Sequence, residues 1–244
     1  MEAAPEVQQR LLDLQDADSA IDRLAHRRRT LPELAEIEKL DARLTELQDA
    51  IVGVETELGD IDREQRKVEN DVDVVRSRIE RDQKRLDTGA VGSAKELEGL
   101  QHELGSLAKR RGDLEDLVLE QMERREEAEL RLRAMTEERA ALLAARGSAE
   151  ATRDTVFAEI DRDATDHTST RAELAIDLAG PLLDLYEKIR ASAGGVGAAA
   201  LHRGRCEGCH LSLPPSDLSR IKAAPADEVV RCEECRRILV RRPE

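Results

Sequence analysis

Four cysteines are the residues of this chain best suited to chemistry: Cys206-x2-Cys209 and, 22 residues later, Cys232-x2-Cys235. A CxxC pair forms a tight knuckle that presents two sulfurs to one ion, and two knuckles complete a tetrahedral S4 set. Thiolates favour zinc over hard cations such as magnesium or calcium. One structural Zn2+ is therefore expected, with Cys206, Cys209, Cys232 and Cys235 as ligands. A catalytic zinc keeps one position open for water, and four thiolates leave none. A redox dithiol pair is the competing reading, but paired CxxC motifs in a reducing compartment favour metal. His202 and His210 flank the first knuckle and read as exposed neighbours.

Other candidates are weaker. Asp161, Asp163, Asp166 and His167 form an acidic cluster that suits a cation but equally suits a solvated helix face. His26 and His102 are isolated. No nucleophile elbow, P-loop or strand-borne GxGxxG occurs, so the chain reads as no enzyme. Arg231, Arg236, Arg237, Arg241 and Arg242 crowd the C-terminal end. Guanidinium forks suit phosphate, which makes these arginines candidate contacts to nucleic acid or to a partner. The same stretch has no aromatic side chain on which a base would stack. The net charge of −14 opposes unspecific nucleic-acid binding. The charge is uneven: from His202 to Glu244 nine Arg and Lys stand against seven Asp and Glu.

The elements that must carry this site are helical. Charged residues make up 38% of the chain and aromatics 1%, a composition that fills a narrow aliphatic seam and not a thick core. From Leu40 to Leu86, steps of four and three alternate through Leu44, Leu47, Ile51, Val54, Leu58, Ile61, Gln65, Val68, Val72, Val75, Ile79 and Asp82. This is a heptad seam, about 70 Å long if helical throughout. Two glycines within 88–93 mark a turn, and Ser93 with Glu96 forms a capping box that starts a second helix. Its seam runs through Leu97, Leu100, Leu104, Leu107, Arg111, Leu114, Val118, Gln121, Arg125, Ala128, Leu132, Met135, Arg139 and Leu142. A short turn makes the two helices antiparallel. Two registers fit: one sets Gln65 opposite Gln121, the other is shifted by a heptad. Arg111, Arg125 and Arg139 leave room in the seam for another helix or a partner.

An earlier helix over Val7, Leu11, Leu14, Ile21 and Leu24 should stop at Thr30-Leu31-Pro32, where Thr30 and Glu33 form a second capping-box pattern. Gly180-Pro181 interrupts the later helix, and a short amphipathic helix follows through Leu182, Leu185 and Ile189. Residues 193–197 read as a linker. Ala198–Leu201, Leu211–Leu213, Val229–Val230 and Ile238–Val240 read as strands, with a short helix from Pro214-Pro215 through Ile221. The expected fold is mainly α: a long antiparallel coiled-coil hairpin over 1–192 plus a small C-terminal β zinc ribbon over 193–244. No apolar run of the length needed to span a bilayer, and no leader pattern, points to a cytoplasmic protein.

Leu185-Tyr186-Glu187-Lys188-Ile189-Arg190, Gly194-Gly195, Cys206-Glu207-Gly208-Cys209-His210, Leu213-Pro214, Val230-Arg231-Cys232-Glu233-Glu234-Cys235 and Ile238-Leu239-Val240 together resemble the bacterial C4-type zinc-ribbon family with an N-terminal coiled coil. Lys95-Glu96-Leu97-Glu98 is similar to its hairpin-tip segment. The family commonly has Gly after the fourth cysteine, where this chain has Arg236, and Gly eases a left-handed turn there. The resemblance implies a non-enzymatic adaptor. Some relatives contact the nitrogen-type alternative sigma factor, export-apparatus proteins or transcripts, in bacteria with that particular machinery. The net charge of −14 favours protein partners, with transcription- or export-related ones among the candidates, nucleic acid the alternative and a monomer the default.

Overall fold

The computed structural model describes residues 1–178 and 180–241. In chain order the elements are α1 (Pro5–Arg29), α2 (Pro32–Asp87), α3 (Ala94–Asp177), α4 (Pro181–Ser192), β1 (Ala198–His202), β2 (Arg205–Cys206), α5 (Pro215–Ala223), β3 (Val230–Arg231) and β4 (Ile238–Arg241). The chain packs as two compact units, one of Glu36–Ala149 and one of Met1–Ala35 with Glu150–Glu244.

The Glu36–Ala149 unit is the antiparallel hairpin. Its buried residues on α2 are Leu40, Leu47, Ile51, Val54, Ile61, Val72 and Asp82, all members of the heptad seam. Leu100, Leu114, Gln121 and Ala128 face them from α3. At the turn, Ser93 Oγ accepts the Glu96 N–H, but the Glu96 carboxylate reaches the Gly92 N–H one residue earlier than a standard capping box. Asp62 lies beside Arg125, Glu57 beside Arg131 and Gln48 beside Arg139, which sets Gln65 at the level of Gln121. The two amides nonetheless do not satisfy each other: Gln65 donates to Glu69, and Gln121 accepts from Arg124. An intrahelical partner already in place costs less side-chain entropy than a pairing across the seam. The seam arginines are also engaged, Arg111 with Glu115, Arg125 with Asp62 and Glu129, and Arg139 with Gln48.

In the second unit, α1 ends where Pro32 forces it to, but Thr30 does not cap α2. Its hydroxyl and its N–H both go back to the His26 carbonyl, closing α1. Pro32 then opens α2 at the first helical position, where its missing N–H costs nothing. The sheet order is β2-β1-β4-β3, with β1 and β4 parallel and the other pairs antiparallel. Leu211–Leu213, expected as a strand, forms only an isolated bridge, Arg205 to Ser212. Arg203 and Gly204, both at positive φ, make the two-residue turn between β1 and β2.

The parallel pair at the centre of this sheet is buried on both faces. Ala198, Ile238 and Val240 pack with Leu11, Leu14, Leu178, Leu182, Tyr186 and Ile189 from the helices. Their neighbours Ala199 and Leu239 point the other way, into a core with Cys206, Cys232, Leu213 and Ile221. Strand periodicity of two thus makes β1 and β4 a shared wall between helical core and cysteine core. Two-sided burial also explains why Ala198–Leu201 and Ile238–Val240 are unbroken apolar runs.

Residues 193–197 are not a loose linker. Gly194 and Gly195 take positive φ to end α4. Gln15 of α1 then clamps the turn, donating to the Gly195 carbonyl and accepting the Gly197 N–H at 2.7 Å. A Cβ on Gly197 would lie 2.7 Å from both the Cδ2 and the carbonyl oxygen of Tyr186. Gly197→Ala is therefore expected to destabilise this unit by about 1–3 kcal/mol, the usual range for overpacking a tight core. Tyr186 is the only Tyr and the chain has no Trp, so urea unfolding followed by tyrosine fluorescence reads the effect directly.

Candidate metal centre

Two short chain reversals bring the cysteines together. In the first, the His210 N–H donates to the Cys206 carbonyl at 2.8 Å, and the Cys206 N–H donates to Leu211. In the second, the Arg236 N–H donates to the Cys232 carbonyl at 2.8 Å, and the Cys232 N–H donates to Arg237. Each reversal needs its residue after the second cysteine in the left-handed region, and His210 and Arg236 have φ of 60° and 63°. The strain that Arg236 signals in the sequence is real, and His210 carries the same strain in the first knuckle.

The four Sγ atoms lie within 4.8 Å of one another. Cys206 and Cys235 are 3.8 Å apart, and Cys209 and Cys232 are 4.0 Å apart. A tetrahedron with Zn–S bonds of about 2.3 Å has edges of about 3.8 Å, so the sulfurs stand at zinc-binding spacing. Cys206 and Cys232 are fully buried, while Cys209 and Cys235 are half-buried. Burial pushes the Cys206 thiol up to about 12 and raises Cys232 as well. Burial also penalises a Cys235 thiolate, but the Arg237 N–H and the neighbouring thiols outweigh it and bring that group to about 7. Metal-free, the buried pair therefore holds its protons; zinc binding must displace them and strengthens as pH rises.

Among the described residues these four thiols are the convergent ligand set, and His202 and His210 are not part of it. The chain is built for one structural zinc with no ligand position left over for a substrate. Asp161, Asp163 and Asp166 with His167 do not converge on a point, and Asp161 is paired with Arg28.

The C-terminal arginines divide by role. Arg237 donates to the carbonyls of Ala193, Val196 and Gly208, tying the end of α4 to the first knuckle. Arg241 donates to five carbonyls between Ile221 and Glu228 and holds the connection from α5 to β3 in shape. Arg231 Nε donates to the Arg236 carbonyl. Arg236 itself is exposed and meets Glu233 at 3.5 Å. Arg242 lies outside the described residues.

A buried polar cluster joining α1, α3 and α4 anchors the shared wall. Asp18, 2% exposed, accepts from Tyr186 Oη at 2.6 Å and from Arg171 Nε at 2.7 Å, with Arg190 at 3.3 Å. Burial, then the bond to Asp18, pushes the Tyr186 phenol well above its ordinary range. The signal was in the heptad spacing: Leu11, Leu14 and Ile21 continue through position 18, where a carboxylate interrupts the seam.

Residues 14–194 match the CT398-like coiled coil hairpin domain, and residues 205–239 match the C4-type zinc ribbon domain. The chain is similar to an uncharacterized protein of Mycobacterium tuberculosis, 39% identical over 241 residues, covering 99% of this chain and 98% of that one. A Mycobacterium leprae protein is 34% identical over 217 residues, covering 89% and 93%. A solved structure from Mycobacterium smegmatis superposes with a TM-score of 0.87 at 35% identity, covering 99% and 100%. CT398 from Chlamydia trachomatis has the same fold, with a TM-score of 0.73 at 21% identity and coverage of 97% and 98%.

Proposed function

Because this chain belongs to the CT398-like coiled-coil hairpin family and carries its C4-type zinc ribbon, we propose that it is a non-enzymatic, cytoplasmic scaffold that docks protein partners through the hairpin. The observation that carries this reading is the apolar surface of the Glu36–Ala149 unit. Val74, Leu119, Met122 and Leu130 are each at least half exposed on helices whose other outward positions are largely charged. Val72, Val118 and Leu119 line a groove rimmed by Glu69, Asp73, Arg76 and Glu115. Exposed apolar side chains ringed by charge suit a protein partner better than a phosphate backbone. A metal site closed by four thiolates supports a structural and non-catalytic zinc. No described helix is long and apolar enough to cross a membrane.

The alternative, a nucleic-acid regulator acting through the ribbon arginines, has less support, because Arg237 and Arg241 spend their donors inside the fold. Photo-crosslinking from position 119 in native cells tests the docking reading. A discrete adduct that disappears when Met122→Glu is added supports it. Labelling that ignores Met122→Glu, together with salt-dependent RNA or DNA binding by the full chain, favours the alternative.

A further inference from the structure

The two knuckles share more than their cysteines. Arg205 precedes Cys206, and Arg231 precedes Cys232. Arg205 Nε donates to the carbonyl of His210 at 2.6 Å, and Arg231 Nε donates to the carbonyl of Arg236 at 2.8 Å. In each case the acceptor is the left-handed residue just after the second cysteine. Each arginine therefore brackets both ligands of its pair, from the residue before the first to the residue after the second. The same contact, at the same offset, is made twice by separate segments. It falls on two of the three described non-glycine residues at positive φ, where a side chain makes the left-handed backbone unfavourable.

We propose that Arg205 and Arg231 are zinc-positioning residues: each holds its knuckle shut across a strained non-glycine turn and so slows release of the metal. Neither guanidinium touches a sulfur. The effect is exerted through the backbone, as an outer-shell partner fixes the orientation of a ligand. The knuckle contact uses only the Nε of Arg231, whose side chain is otherwise exposed. The proposal rests on the thiol geometry and not on the docking reading, so failure of one leaves the other standing.

The test is the rate at which zinc passes from the full-length protein to a chromogenic chelator. Arg231→Ala is expected to release zinc at least tenfold faster, in line with the usual cost of losing an outer-shell partner. Arg231→Ala/Arg236→Gly should return most of that loss, since glycine adopts the left-handed turn without a brace. A merely structural role for Arg231 would not be rescued at that one position. The exposed Arg236–Glu233 pair removed with it contributes little. Release from Arg231→Ala within twofold of the parent, or release from the double variant as fast as from the single, overturns the proposal. Should Arg231→Ala fail to fold, the double variant decides: a folded protein that retains zinc carries the proposal, and a second failure overturns it.

Discussion

Cys232→Ser is expected to cost the protein its zinc and to open the segment from Arg203 to Arg237, while β1 and β4 remain seated on the helices. The expectation follows from the two-faced sheet. Toward the knuckles, the core is Ala199, Cys206, Leu213, Ile221, Cys232 and Leu239, six side chains of which three are small. That set cannot offset the chain entropy of more than 30 ordered residues at about 1 kcal/mol or more each. Zinc supplies the difference, with binding free energies of about 10–16 kcal/mol in small zinc-finger peptides. Toward α1 and α4, Ala198, Ile238 and Val240 pack with Leu11, Leu14, Leu178, Leu182, Tyr186 and Ile189 in a nine-residue core that needs no metal. Hydrogen exchange by mass spectrometry separates the two faces. Protection should vanish at the knuckle amides of His210 and Arg236, persist along β4, and stay unchanged across 36–149. Protection lost equally on β4 would mean that the helical face does not hold the wall.

Asp18→Ala should be the most damaging single change away from the cysteines. Asp18 is nearly fully buried, and its carboxylate satisfies Tyr186 and Arg171 and neighbours Arg190. Removing one partner of a buried ion pair leaves the others desolvated, a loss of about 3–5 kcal/mol. The two arginine side chains are about one-quarter exposed, so the lower end of that range is expected. Asp18→Asn keeps the shape and an acceptor and should cost less. Tyr186 fluorescence during urea unfolding measures both. The phenol also sets a pH dependence. Its folded value is raised, so the stability it contributes is present below the unfolded value of about 10 and is lost as pH rises beyond it. Tyr186→Phe should remove that alkaline sensitivity.

Much of this architecture is legible from residue types and spacing, because heptads and CxxC pairs impose their geometry locally. The α2 and α3 seams, the breaks at Pro32 and Gly180, and the four-sulfur set all follow from rules that act within a few residues. What escaped depends on contacts distant in sequence. Gln15 reads as an ordinary surface residue on α1 until Gly195 and Gly197 arrive beside it. The glycine-rich segment 193–197 has the composition of a linker, and it is Tyr186, Gln15 and Arg237, distant in sequence, that make it a packed turn. Arg237 and Arg241 look like a basic patch by composition, whereas their donors are absorbed by eight main-chain carbonyls. In a chain with two large aromatics, forked arginines replace some of the cross-linking that ring side chains usually supply. Two signals were readable and passed over. One is the carboxylate at seam position 18; the other is the Arg-Cys-Glu-x-Cys pattern repeated at 205 and 231.

Zinc-edge X-ray absorption on the purified chain reads the metal and its ligands directly. One zinc per chain is expected, with four sulfur neighbours at about 2.3 Å and no light-atom ligand. A nitrogen or oxygen ligand in the first shell, or cysteines joined as disulfides with no metal bound, would contradict that expectation.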